Sequence, residues 1–434
     1  MIKYLIFTLL LIILNNCSFD TKSGIWTKEK EIKNVKLKND KIKNLFEKKK
    51  ENRDEFNSEL KIVFSQNELN KNSINNNNFG ALTSNFNLEK ISKFKFKKIR
   101  NFDEIEVKMA FFEDDLIFFD KNGSIIRFDD SSKIIWKTNN YSKREKKINP
   151  ILKITKYEEK LLITDSLAKI YLLDAITGKI IWKNEHDTSF VSQIKIDENK
   201  FYALDSNNKF NCFSLIDGKK LWDFTSEKRL INSQKDNSII LDDKNVSFTN
   251  SKGDIVSLDK ENGDLLWIIP TISFDETFQS YLVKNSNLVL NDRNIYFSNN
   301  NNSFYSIDAN SGLINWRQDI NSSLTPLIID NYILTISSAG YLYILDKEVG
   351  NIIRVTDILK RFKEKKRKKI IIKGFVATTT KAYISTNQGH VILYDLENGN
   401  VEKIYRLSRS NISRPFVNND KLYFIKDSEI IMLK

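Results

Sequence analysis

Leu173-Asp174-Ala175-Ile176-Thr177-Gly178-Lys179-Ile180-Ile181-Trp182 is the stretch that decides how this chain folds. The Asp174 side chain can accept backbone N–H groups two residues on. Gly178 takes the positive φ that a tight hairpin needs, so the segment joins two antiparallel strands. Around it the chain is apolar at consecutive positions, as in Leu161-Leu162-Ile163, Ile170-Tyr171-Leu172-Leu173 and Ile180-Ile181-Trp182. Strands covered on both faces read in this way. The form D-x3-G-x3-W then recurs at Ser214/Gly218/Trp222, Asp259/Gly263/Trp267 and Asp308/Gly312/Trp316. Imperfect copies stand at Asp129 with Trp136, Asp346/Gly350/Arg354 and Asp395/Gly399/Lys403. The six intervals from Asp129 to Asp395 average about 44 residues, a repeat-protein period. In four copies a second glycine (Gly123, Gly253, Gly340, Gly389) lies six residues before the Asp, so ten of the thirteen glycines belong to turns.

Four short antiparallel strands in each period form a β-propeller blade, and stacked blades bury both faces of every sheet. The repeat Trp is expected to end the last strand of its blade and to pack on the next blade as a core aromatic. Seven copies leave a remainder, Asn411 to Lys434, with two strands at Lys421–Lys426 and Glu429–Leu433. Upstream, Glu89 to Ile99 alternates Ile91, Phe94 and Phe96 with lysines, the pattern of a half-buried strand. Closing the ring with one blade shared between the two ends removes the exposed sheet edges that invite aggregation. The expected fold is therefore all-β, an eight-bladed propeller over 89–434, with seven blades as the alternative.

Composition excludes several functions. The chain has 41% hydrophobic and 12% aromatic residues, enough for a large core, and a net charge of +13 spread along its length. Two histidines (His186, His390) and two cysteines (Cys17, Cys212) are too few for a zinc cluster or a disulfide framework. No two glycines stand two apart and no GxxxxGK[ST] occurs, so dinucleotide and phosphate-loop fingerprints are missing.

Residues 1–16 read as an export signal: Lys3 precedes an apolar run from Tyr4 to Leu14, too short to span a bilayer. Cys17 directly follows. This junction resembles a bacterial lipobox, which implies lipidation of Cys17, although Asn15 and Asn16 replace the usual small residues. The alternative is an ordinary signal peptide. With Cys17 lipidated, Cys212 is the single free thiol. Residues 17–88, Lys-rich and then Asn-rich, read as a polar, partly disordered tether with a candidate helix around Lys41–Phe56.

At Leu173-Asp174 and Ala175 to Trp182 the sequence resembles the tryptophan-docking repeat of the PQQ-like propellers. One branch holds quinoprotein dehydrogenases; the other is the BamB family of lipoproteins of the outer-membrane β-barrel assembly machinery. A Cys after a signal segment and repeats running to the C-terminus are similar to the second branch. That resemblance implies a non-enzymatic scaffold without cofactor, a monomer within a complex, lipid-anchored at the periplasmic face of the outer membrane. Its implied partner is a barrel-assembly outer-membrane protein with periplasmic domains. The family contact lies in loops entering two mid-ring blades, here the connections carrying Arg229 and Leu230, and Asp275 and Glu276. Its Leu-x-Leu-Arg and Asp-x-Asp signatures are absent from both. The dehydrogenase branch implies calcium, a quinone, a catalytic Asp and commonly adjacent cysteines. This chain has no adjacent cysteines. Asp165, Asp205 and Asp275 are the imaginable calcium ligands, yet each stands where a turn Asp is expected, and the histidines sit in polar loop contexts with no Ser/His/Asp pattern. A further feature is Lys360 to Lys369, eight basic residues in ten. It reads as a solvated loop or as a docking patch for an acidic partner or anionic headgroups; nucleic acid fits poorly, since no aromatic residues interleave the lysines.

Overall fold

The computed structural model describes residues 54–64, 85–100, 102, 105–227, 235–272 and 284–434. Their strands form eight separate four-stranded antiparallel sheets. In chain order, seven sheets span Ala110–Thr138, Leu152–Glu185, Lys195–Thr225, Ile239–Ile269, Val289–Gln318, Leu327–Asp357 and Ile372–Arg406. The eighth is built from both ends. Phe416–Asn418, Lys421–Ile425 and Glu429–Leu433 are followed outward by the first strand among the described residues, β1 (Lys90–Lys95). β1 runs antiparallel to Glu429–Leu433, with Phe94 opposite Ile430.

The ring thus closes as the sequence predicts, with two differences. The C-terminal remainder carries three strands, because the short inner strand Phe416–Asn418 has too few residues to show a period. In β1 the register shifts between Lys90 and Ser92, which turns Ile91 to solvent while Phe94 is buried against Phe128 and Tyr423.

Within a blade the second and third strands are apolar on both faces and fully buried, as in Lys160–Asp165 and Lys169–Asp174. Each side faces a different neighbour. Leu162, Ile170 and Leu172 of the second blade meet Phe201, Ala203 and Phe213 of the third. Tyr202, Leu204 and Phe210, from the opposite face of that third blade, meet Val246, Phe248 and Val256 of the fourth. Burying such a side chain contributes about 1.5–3 kcal/mol, so the ring is held by the layers between sheets. The outermost strands depart from the two-faced expectation: Ile180 and Ile181 are 38% and 50% exposed, because no further layer covers the rim.

Upstream of β1, part of the span read as tether lies on the ring. Phe56 bridges Val355 through two backbone hydrogen bonds of 3.1 and 2.8 Å. Ile62 and Phe64 are buried among residues of the sixth and seventh blades, and Phe86 packs edge-on against Tyr383. Most of the candidate helix around Lys41–Phe56 lies outside the described residues.

Candidate functional site

Two arrangements bear on function: the slots between blades and the cavity on the ring axis. The slots realise the repeat. Asp174 Oδ1 accepts the Thr177 N–H at 2.7 Å, Gly178 N–H donates to the Asp174 carbonyl at 2.9 Å, and Gly178 takes a φ of +70°. Elsewhere the bond falls two residues on as expected, as from Glu261 to Asp259. A Cβ on Gly178 would lie 2.8 Å from the Trp136 ring, so glycine is needed for φ and for the approach of the preceding blade's Trp. Trp182 meets Gly218, Trp222 meets Gly263, Trp267 meets Gly312 and Trp316 meets Gly350 in the same way. Four of the five indole N–H groups then reach the carbonyl three residues before that glycine: Trp136 to Ala175, Trp182 to Leu215, Trp267 to Ala309 and Trp316 to Lys347, at 3.0–3.2 Å.

The Trp expectation needs two corrections. Trp182 is the third residue of its six-residue strand instead of its end, and all five docked Trp rings are only half-buried, because the slot opens at the outer rim. One slot lacks its bond. Trp222 Nε1 is buried without a partner, while the matching Lys260 carbonyl accepts from the Tyr202 hydroxyl at 3.3 Å.

Arg354 fills the Trp position between the sixth and seventh blades. Its Nη2 donates to the Leu396 carbonyl, the equivalent of the Trp acceptors, and its Nη1 donates to the carbonyls of Glu397 (3.1 Å) and Leu60 (2.7 Å). No carboxylate lies within ion-pair distance of this buried guanidinium among the described residues, and burial lowers its pKa against the opposing pull of Tyr394 and Asp395. The upstream segment therefore completes the slot: Ser58 and the Arg354 guanidinium lie against Gly399.

Asp165 and Asp205, weighed as calcium ligands, serve turns. Asp165 Oδ1 accepts the N–H groups of Leu167 and Lys169, both at 2.8 Å, and Oδ2 accepts the Tyr141 hydroxyl; burial raises this carboxyl's pKa. Asp205 Oδ1 caps Asn207 and Lys209, while Oδ2 lies 3.2 Å from His186 Nε2. Burial pushes Asp205 up, but His186 and the backbone donors outweigh it and hold the group low. His186 is not in a polar loop: it stacks on Phe190 at 4.9 Å and meets Phe213 edge-on. His390 lies against Phe362, its pKa lowered by burial and by Arg406 and Lys366. The Cys212 thiol is buried and pushed up to about 12, which makes it unreactive. Cys17, Arg229, Leu230, Asp275 and Glu276 lie outside the described residues.

Sequence reasoning missed the axis. A cavity of about 300 Å³ is lined by the inner strands of five blades and the residues leading into them, among them Glu106, Lys108, Lys153, Gln193, Asp236 and Arg414. The signal was present but short. Counting five residues back from the first hairpin turn of each blade gives Lys108, Lys153, Gln193, Asn237, Asn287, Thr325, Lys373 and Arg414, polar at every blade and basic in the contiguous seventh, eighth, first and second. Lys153 Nζ pairs with Asp236 at 2.6 Å and donates to the carbonyls of Phe190 and Ser192. Lys235 Nζ donates to the carbonyls of Asn285 and Ser323. Lys108 reaches Asp236, and Arg414 reaches Glu106, only at 3.9 Å. Burial pushes Glu106 up, yet Lys108, Lys235, Arg414 and Lys153 together hold it below the usual carboxylate value. The donor set does not suit calcium, which needs six to eight oxygens: Glu106 and Asp236 stand among cations, and no group of three or more His, Cys, Asp or Glu with metal-ligand geometry occurs among the described residues.

An eight-sheet ring locked blade to blade by Trp-on-Gly contacts defines the class of the tryptophan-docked PQQ-like propellers. A family model described as outer membrane protein assembly factor BamB matches residues 121–356, and the chain belongs to that family. Among solved structures, BamB from Moraxella catarrhalis superposes with a TM-score of 0.66 at 15% identity, covering 80% of this chain and 99% of that one. A europium-containing methanol dehydrogenase gives 0.60 at 12% identity over 80% and 87% of the two chains. The quinohemoprotein alcohol dehydrogenase ADHIIG from Pseudomonas putida HK5 gives 0.59 at 9% over 82% and 78%. At these identities the likeness shows the fold alone. The sequence matches no curated protein.

Proposed function

We propose that this protein is a lipid-anchored, non-enzymatic scaffold at the periplasmic face of the outer membrane that assists assembly of outer-membrane β-barrels. The observation that carries the reading is the BamB family match across residues 121–356. Two features support a protein-binding role. The outermost strands expose aliphatic pairs, Ile134 and Ile135, Ile180 and Ile181, Leu265 and Leu266, more than an inert rim needs. Asp165 and Asp205, two of the acidic groups weighed as calcium ligands, are occupied as turn caps. Attachment is through lipid on Cys17, which follows the apolar run from Tyr4 to Leu14 as in a lipobox. One acyl chain holds only marginally, and multiple acylation gives a stable anchor.

The partner is a barrel-assembly outer-membrane protein with periplasmic domains, met by the connections before the fourth and fifth blades through Arg229, Leu230, Asp275 and Glu276. The test is capture of that partner by the tagged full-length protein, with affinities compared for the parent and the Arg229→Glu/Asp275→Lys variant. Charge reversal at a desolvated contact is expected to cost about 2–5 kcal/mol of binding. Full affinity in that variant, with loss on neutralising Lys365 to Lys369, transfers the contact to the basic run. That run is partly engaged already: Lys360 pairs with Glu55 at 3.0 Å, Arg367 with Asp357 at 2.5 Å and Lys368 with Glu364 at 2.8 Å.

The rival reading is a quinoprotein-like dehydrogenase, a class that shares this propeller fold. Dye reduction on alcohols or sugars after adding quinone and calcium to the purified protein would replace the scaffold reading.

A further inference from the structure

The axial cavity holds more positive charge than its carboxylates balance. Lys108, Lys153, Lys156 and Arg414 line it against Glu106 and Asp236, an excess of two, and Lys195 and Lys235 flank it with fields that reach Lys108. The allocation of these carboxylates is visible in the distances. Asp236 is committed to Lys153 at 2.6 Å, which leaves Lys108 at 3.9 Å, beyond hydrogen-bond reach. Lys195, one residue past the lining Ile194, has no hydrogen-bond or ion-pair partner among the described residues, and the one charged group acting on it is another cation, Lys108. Cations gathered in a protein-walled space are destabilising unless a counter-charge joins them. Nothing in the ring's closure calls for them: blades three to six fill the same register with Gln193, Asn237, Asn287 and Thr325, and Asn287 donates to Thr325 at 2.8 Å. A one-sided arc of cations on a neutral ring, around a space of about 300 Å³, is the layout of a site for a small anion and is too small for a folded peptide.

We propose that the axial cavity binds a small oxyanion carrying two or more negative charges, of the polycarboxylate or phosphate-ester class, with Lys195 and Lys108 as its direct ligands and Arg414 and Lys153 behind them. The ligand supplies the missing counter-charge, so multivalent anions bind and monovalent ones bind weakly. Lys153 and Arg414 keep Asp236 and Glu106 drawn to one side, which leaves the open donors to the ligand. This inference is independent of the barrel-assembly reading.

Calorimetric titration of the purified full chain tests it, with pyrophosphate and citrate as probes and acetate as the monovalent control, at physiological salt. One-to-one binding is expected for pyrophosphate or citrate, with acetate weaker by about tenfold or more, since each lost charge removes an ion pair in a confined site. Citrate over pyrophosphate assigns a carboxylate source, and the reverse a phosphate source. Lys195→Gln is expected to weaken binding by about tenfold while Lys195→Arg retains it, and neutralising Lys365 to Lys369 leaves it unchanged. Because Lys195→Gln removes a lone cation, it is expected to melt no lower than the parent without ligand while losing the ligand-induced rise in Tm. Absence of one-to-one binding by both probes overturns the proposal. So does undiminished binding in Lys195→Gln, or a loss confined to the variant neutralised at Lys365 to Lys369.

Discussion

At the scale of single residues, the ring is a set of near-identical contacts whose exceptions carry information. Trp182→Ala and Trp267→Ala are expected to cost about 2–4 kcal/mol in denaturant unfolding, near or just below the range for fully buried aromatics because these rings are half-exposed. Trp222 differs from both. Its indole N–H has no acceptor, so Trp222→Phe is expected to cost about 1 kcal/mol less than Trp182→Phe; equal losses would mean that Trp222 finds a partner in solution. Arg354 is the informative replacement. Arg354→Met leaves the carbonyls of Leu60, Leu396 and Glu397 without their donor and is expected to cost about 3 kcal/mol, whereas Arg354→Trp restores the Leu396 contact and gives up Leu60. Faster amide exchange at residues 56–62 in Arg354→Trp, with the blades unchanged, is the expected signature. Unchanged exchange there would separate Arg354 from the segment's docking.

At the scale of elements, what the sequence disclosed follows from how many side chains each strand commits. The second and third strands of every blade have four to six consecutive residues between two apolar layers, so runs such as Leu161-Leu162-Ile163 announce them. The first strands are three residues long in six of the eight blades, and their signal is a single polar position that emerges only when repeats are aligned on the first hairpin instead of on D-x3-G. The axial site was therefore not legible, although every one of its residues was in view. Residues 54–64 were hidden for another reason: they hold the ring through backbone bonds, and of their apolar residues only Ile62 and Phe64 are buried, while Phe56, Leu60 and Val63 are exposed. β1 announced itself because Phe94 is flanked by charge. Phe94→Ala is expected to cost about 3–5 kcal/mol and to broaden the unfolding transition, since it loosens the one blade built from both chain ends. A loss no larger than that of an exposed rim change such as Ile181→Ala would mean that β1 is dispensable for closure.

At the scale of the whole molecule, the axis and the rim answer to different conditions. Burial, and then Lys108, push Lys195 down to about 8, from an ordinary value near 10.4. A base lowered in the fold imposes a cost that is full below about pH 8 and fades as pH rises toward 10.4, because over that window the unfolded chain binds more protons. Lys195→Gln should therefore be more stable than the parent at pH 7, and the difference should shrink by pH 10; urea titrations at the two pH values measure it. A difference that grows with pH would mean that Glu106 or Asp236 compensates Lys195 after all. The docked segment at 54–64 has a mechanical meaning as well. It lies upstream of the closing strand, so tension applied at the N-terminus meets the Phe56–Val355 bridge and the Arg354–Leu60 bond before it reaches β1. The ring carries a strain relief of the kind that guards a cable where it enters a plug. A pull from the N-terminal side is expected to free residues 54–64 first, which lengthens the chain by that slack and spares the one seam whose opening would unwind the molecule.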